Sequence, residues 1–195
     1  MLLIAQPAGQ PERVIGQLVN FATIVGGRLA IDPKPVAVRG LVDRTLKPWR
    51  ERVDGSHKLV RRVPAGLPDV VADSTYVGQA LDELLDNAVK YSPDGGKIVV
   101  SADVVAGEDG PELQISVSDQ GVGIPPDRLD SVLQEFTQAD ASSTRRFGGL
   151  GLGLALVQRV ARAHGGELRI GASSEAGTTV TMALPVGGPD GERSR

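Results

Sequence analysis

The chain has 195 residues, 41% apolar and 23% charged, with no cysteine. This is the composition of a soluble globular protein of one domain, with or without an appended segment, and it excludes a disulfide framework and any thiolate metal site. A net charge of −3 and 3% aromatic residues argue against a nucleic-acid scaffold, a base-stacking protein or an anionic-membrane binder.

The first ten residues read as irregular. Met1 to Ala5 is too short, and lacks the basic lead, for a signal peptide. No stretch reaches the length of a membrane span, so a cytoplasmic chain is expected. Pro11 opens a helix whose apolar positions Val14, Leu18, Phe21, Val25 and Leu29 recur at steps of four, three, four and four, and Asp32-Pro33-Lys34-Pro35 ends it. Such a stripe suits a helix packed on its own domain, or the remnant of a dimerisation helix. The period alone does not choose.

Val36 to Val38 reads as a short strand, and Leu41, Val42, Thr45, Leu46 and Trp49 as one helix face. His57 to Val63 is an expected strand, followed by a turn over Pro64–Pro68 and the apolar Val70-Val71-Ala72. Residues 74–91 form a helix with Leu81, Leu84, Leu85, Ala88 and Val89 on one side and Ser74 as its cap. After a turn at Pro93-Asp94-Gly95-Gly96, Ile98–Val105 and Leu113–Val117 pair as strands joined by a loop over Gly107–Pro111. Pro125-Pro126 opens a short helix through Phe136, and residues 137–147 are polar. A helix over 152–164 follows the run Gly148-Gly149-Leu150-Gly151-Leu152-Gly153. Glu167–Ala172 and Thr178–Leu184 are the last strands, and a polar tail starts at Gly187. Helices and strands mix without regular alternation, which favours an α/β sandwich with one sheet covered on one face.

Three clusters carry chemistry. Gly149, Gly151 and Gly153 precede a helix, where close backbone approach and free N–H groups make a phosphate cradle. No Gly-Lys-Ser or Gly-Lys-Thr follows, so this is not a P-loop, and the dinucleotide fingerprint fails too. A tight loop without ligand explains the cluster equally well. On helix 74–91, Glu83 and Asn87 share a face, with Lys90 one turn on and Tyr91 next. A carboxylate and an amide oxygen can hold a hard cation, and a lysine can meet phosphate. The plain alternative is a solvated polar face, and Asp82 and Asp86 are read as surface charge. Asp119-Gln120-Gly121-Val122-Gly123 follows a strand. An acid there can accept a hydrogen bond from an exocyclic amine such as adenine N6, or simply cap a turn.

Together the three clusters resemble the ATP-binding domain shared by sensor histidine kinases, gyrase, the ninety-kilodalton heat-shock chaperone and mismatch-repair ATPases. Leu81–Tyr91 looks like the kinase N box, Asp119–Gly123 like the G1 box, Phe136 like the F-box aromatic and Gly149–Leu154 like the G2 box. Ala163-His164-Gly165-Gly166 and Gly177-Thr178-Thr179 through Leu184-Pro185 resemble the kinase ending. The resemblance implies a two-layer sandwich, a mixed and mostly antiparallel sheet covered by helices on one face, with an added N-terminal helix. It divides the chain into 1–35, similar to the end of a dimerisation hairpin, a catalytic domain over 36–186, and a disordered tail over 187–195.

The resemblance also implies ATP and Mg²⁺ as cofactors. Asn87 would hold Mg²⁺, and Glu83 would organise a metal water or act as base. Lys90 would reach phosphate, and Tyr91 would pack near adenine or ribose. Asp119 would read adenine N6 beside Gly121 and Gly123. Residues 137–149 would form a lid anchored by Phe136, with Arg145 or Arg146 on the γ-phosphate. Gly149, Gly151, Leu152 and Gly153 would line the phosphates, and Thr179 would reach adenine through water.

A kinase of this kind also needs an acceptor histidine, followed by an acidic residue and then a proline. His57, in Gly55-Ser56-His57-Lys58, lacks that pattern. His164 ends a helix, where a partly protonated imidazole suits the dipole, and reads as structural. The acceptor is therefore expected in another segment or on another chain, with a response regulator downstream. No nucleic acid and no membrane contact by this segment are expected, although it can be the soluble part of a membrane-bound sensor. The alternatives are a stand-alone anti-sigma-type serine kinase, an ATP-sensing interaction module, or an ATPase using Glu83 to activate water.

Overall fold

The computed structural model describes residues 29–53, 55–129, 153–171 and 177–189. The expected N-terminal helix before Leu29 and the helix running to Phe136 beyond residue 129 lie outside the described residues. So do Phe136, Arg145, Arg146, Gly149, Gly151 and Leu152. Among the described residues no helix is long and apolar enough to cross a membrane.

Among the described residues seven strands and three α-helices follow one another as β1 Lys34–Val36, α1 Val38–Arg52, β2 His57–Arg62, β3 Val70–Ala72, α2 Ser74–Lys90, β4 Gly96–Gly107, β5 Gly110–Ser118, α3 Gly153–Ala163, β6 Glu167–Gly171 and β7 Thr179–Pro185, with a 3₁₀ turn at Pro126–Arg128. The main sheet has the order β2-β4-β5-β7-β6. Only β2 and β4 run parallel; the other pairs are antiparallel. The short β1 and β3 pair antiparallel in a separate ribbon. This is the mixed, mostly antiparallel sandwich that the sequence predicts.

Strand period 2 explains why one face of the sheet is covered. Ile98, Val100 and Ala102 on β4, Leu113, Ile115 and Val117 on β5, and Val180, Met182 and Leu184 on β7 are all buried and share the helix side. Their neighbours Ser101, Ser116, Ser118, Thr179 and Thr181 share the opposite face. There two hydroxyl pairs, Ser116–Thr181 and Ser118–Thr179, meet at 2.8 Å. Helix α2 supplies Val77, Ala80, Leu81, Leu84, Leu85 and Ala88 to the core, and α1 supplies Val38, Leu41, Val42, Leu46 and Trp49. Truncating Leu81 or Leu85 to Ala would cost about 2–5 kcal/mol.

Four local expectations change. The first strand lies at Lys34–Val36, and Val38 already belongs to α1; pairing with β3 and the extended φ of Pro35 fix it there. The cap of α2 is Asp73 rather than Ser74: its Oδ1 accepts the N–H groups of Thr75 (2.9 Å) and Tyr76 (3.2 Å). The loop over 107–111 closes to a two-residue turn, because Gly107 and Gly110 still pair across the strands. Asp82 is not idle surface charge: its Oδ1 accepts the indole N–H of Trp49 at 2.8 Å and ties α1 to α2.

The C-terminal end of α3 carries a further correction. His164 is 1% exposed. Its Nδ1 lies 2.8 Å from Val160 O, and its Nε2 accepts the N–H of Asp73 at 2.9 Å. An acceptor at Nε2 and a donor at Nδ1 require the neutral imidazole. The partly protonated ring expected from the helix dipole is thus replaced by a neutral one, held by two backbone groups; its structural role stands.

Candidate functional site

Helix α2 carries two polar clusters, one facing α3 and one at its own C-terminal end. On the first, Glu83 and Asn87 lie one turn apart and face the start of α3. A Cβ on Gly153 would lie 2.8 Å from Glu83 Oε2 and 3.3 Å from Asn87 Nδ2. Gly153, the first described residue of α3, is thus close to a carboxylate and an amide. Helix starts offer unpaired N–H groups and partial positive charge. Asn87 is half-buried in this seam, not on an open helix face.

At the C-terminal end of α2 the chain turns into the Asp119–Gly123 loop. Tyr91 caps α2 through its N–H to Asn87 O, and its own carbonyl accepts Val122 N–H at 3.0 Å. Gly121 allows this close approach: a Cβ there would lie 2.1 Å from Tyr91 O. Lys90 holds its ammonium 4.9 Å from the centre of the Tyr91 ring. Val122, 61% exposed, is the exposed large apolar residue among those described, and it lies in this loop.

Asp119 organises the wall. Its N–H donates to Thr178 O at 2.9 Å. Its Oδ1 accepts the N–H of Gly121 (2.8 Å) and of Thr178 (3.1 Å). Its Oδ2 accepts no hydrogen bond from the described residues. Burial pushes this carboxyl above its ordinary range, against the lowering effect of the two N–H groups. Gly177 makes the approach of Thr178 feasible. Its φ is +100°, and a Cβ would lie 1.9 Å from Asp119 O.

The structure therefore brings Tyr91, Asp119, Gly121 and Gly123 to one wall, and Glu83, Asn87 and Gly153 to a second. Glu83 and Tyr91 are about 12 Å apart along the helix. Thr179 does not join them. Its hydroxyl is on the open face of the sheet, bonded to Ser118. The buried threonine beside Asp119 is Thr178. Strand parity could have found it: Val180, Met182 and Leu184 face the helices, so Thr178 shares their side and Thr179 does not. Ser92 was also missed. It is buried, its carbonyl accepts from Gly95 N–H (2.9 Å) and meets His57 Nε2 (3.0 Å), and its hydroxyl has no partner among the described residues. Among the described residues no three His, Asp or Glu side chains converge as a metal cage. Glu83 and Asn87 offer oxygen donors of the kind a phosphate-bound cation takes alongside its waters.

Known proteins resemble this chain in sequence and in fold. The profile described as histidine kinase-, DNA gyrase B-, and HSP90-like ATPase matches residues 72–188. The chain is 33% identical over 176 residues to the adaptive-response sensory kinase SasA of Synechococcus elongatus, covering 90% of this chain and 44% of that protein. It is 37% identical over 190 residues to the signal transduction histidine-protein kinase/phosphatase MprB of Mycolicibacterium smegmatis, covering 91% and 37%. The chain thus spans less than half the length of these relatives. Among solved structures, full-length ShkA in complex with AMPPNP superposes with a TM-score of 0.77 at 26% identity, over 90% of this chain and 36% of that one. The mycobacterial sensor histidine kinase MprB superposes with a TM-score of 0.65 at 32% identity, over 80% and 99%.

Proposed function

Since the chain belongs to the histidine kinase-, DNA gyrase B-, and HSP90-like ATPase family, we propose that it is the ATP-binding catalytic part of a two-component sensor histidine kinase. In this reading it transfers the γ-phosphate of ATP to a histidine on another segment or chain. The observation that carries the reading is Asp119. Its Oδ1 is consumed by the loop, and its Oδ2, without a hydrogen bond from the described residues, is left over to accept an adenine amine.

Asn87 and Glu83 are the residues to hold Mg²⁺, whose chemistry is to neutralise phosphate charge when bound. The N–H groups at the start of α3 meet phosphate oxygens. Lys90 leaves the Tyr91 ring for phosphate, and Arg145 or Arg146 stabilises charge on the transferring group. No side chain of this chain needs to form a bond to phosphorus. Positioning and charge are its contribution. His164 is excluded as acceptor by its burial and its two backbone partners. The relatives are sensor kinases, which favours histidine over serine as the acceptor.

The test is to incubate the chain with Mg²⁺ and γ-labelled ATP, with and without a separately prepared acceptor-histidine hairpin. Label on the hairpin, lost in acid and kept in base, and absent with Asn87→Ala, supports the reading. Acid-stable label points to a serine kinase. Free phosphate alone, abolished by Glu83→Ala, points to an ATPase.

A further inference from the structure

Charge is divided unevenly along this chain. Residues 34–62 hold nine Lys and Arg against three Asp and Glu, whereas residues 63–130 hold three against thirteen. The fold sorts these blocks onto different elements. The acidic block contains α2 and the Asp119 wall; the basic block is α1 and the edge strand β2.

On α1 the apolar side chains face the core, and Arg39, Arg44, Lys47 and Arg50 project from the other side. Arg39 and Arg50 are about 16 Å apart along the helix. None of these four makes an ion pair or side-chain hydrogen bond with the described residues. Two acids share the surface. Asp43 is already matched by Arg61 of β2 at 3.0 Å, and Glu51 stands near the helix end. Arg52 adds a further cation, over the Trp49 ring. On β2, Arg61 turns to the helix side and reaches α1, whereas Lys58 and Arg62, opposite Lys97 and Ser101, lie on the open face of the sheet. Clustered unpaired cations repel one another, and a chain that is acidic overall has carboxylates with which to disperse them.

We propose that the outer face of α1 is a docking surface for a protein partner that presents a carboxylate-rich face, separate from the nucleotide wall. Three of the four unpaired cations are arginines, whose planar forks match carboxylates in pairs. The face shows no exposed large apolar side chain, and Trp49 is buried, so it lacks the anchors with which helices enter a bilayer surface.

The experiment titrates the whole chain into fluorescent poly-L-glutamate, read by anisotropy, with phosphatidylglycerol vesicles and a DNA duplex in parallel. Binding to poly-L-glutamate that weakens with salt and exceeds that to the other two is expected. The variant Arg39→Glu/Lys47→Glu/Arg50→Glu should lose about tenfold or more, the scale of three charge-assisted contacts, with Mg·ATP affinity unchanged. Arg39→Lys/Arg44→Lys/Arg50→Lys keeps the charge and the fold and should lose about threefold, because only the forks are gone. No binding to poly-L-glutamate, equal binding by the reversed variant at an unchanged melting point, or tighter retention by vesicles or duplex overturns the proposal.

Discussion

Two aspartates in this molecule do similar work and end differently. Asp73, before α2, uses both oxygens. Oδ1 takes Thr75 and Tyr76 N–H, Oδ2 takes Asp32 N–H at 2.9 Å, and its own N–H is held by His164. Asp119, after β5, also binds two backbone N–H groups, but both go to Oδ1. The first carboxylate is saturated and fastens three segments together. The second is half-buried with one oxygen to spare. Leftover acceptor capacity in a half-buried carboxylate, more than residue type, makes Asp119 and not Asp73 the candidate for a ligand contact.

The comparison can be broken from either end. Among the polar side chains, Asp73→Ala should damage the fold most, removing two capping bonds and the tie to Asp32, for about 2–3 kcal/mol. A denaturant titration checks this; a loss under 0.5 kcal/mol would make the knot decorative. Gly121→Ala forces a Cβ into Tyr91 O and should cost about 1–3 kcal/mol, lowering the melting point along with nucleotide affinity. The pH dependence follows from the raised Asp119 carboxyl. Between its unfolded and folded titration points the native chain holds a proton that the unfolded chain has released. Its contribution to stability therefore falls as pH rises through that window. Asp119→Asn should remove this slope and be no less stable at neutral pH, which unfolding curves across pH 3–7 would show. Smallest of all, Thr179→Val breaks only the pair with Ser118. It should cost about 1 kcal/mol or less and leave nucleotide affinity unchanged.

Much of this was legible beforehand. The apolar stripes of α1 and α2 and the alternation in β4, β5 and β7 announce which faces are buried, because period 3.6 and period 2 are local properties. Glu83, Asn87 and Asp119 stand out through the order of the three clusters, which resembles the N, G1 and G2 boxes; each alone reads as well as a solvated face or a capped turn. Contacts between distant segments were not legible. That Asp73 would cap α2 through a bond shared with Asp32, that Asp82 would take the Trp49 indole N–H, and that His164 would be neutral all depend on partners 33 to 91 residues away. Helix-dipole reasoning saw only the near end of His164. Thr179 was chosen over Thr178 by motif, and strand parity, a purely local rule, selects the other.

The most direct test compares ATP with purine riboside triphosphate, which lacks the 6-amino group, by calorimetry on the wild-type chain and Asp119→Asn. The spare Oδ2 predicts that the wild type prefers ATP by roughly 10–100-fold, the worth of one hydrogen bond to a charged acceptor, and that the Asn variant loses this preference. Equal affinity of the wild type for both nucleotides, or an undiminished preference in the variant, would contradict the assignment of Asp119 as the reader of adenine.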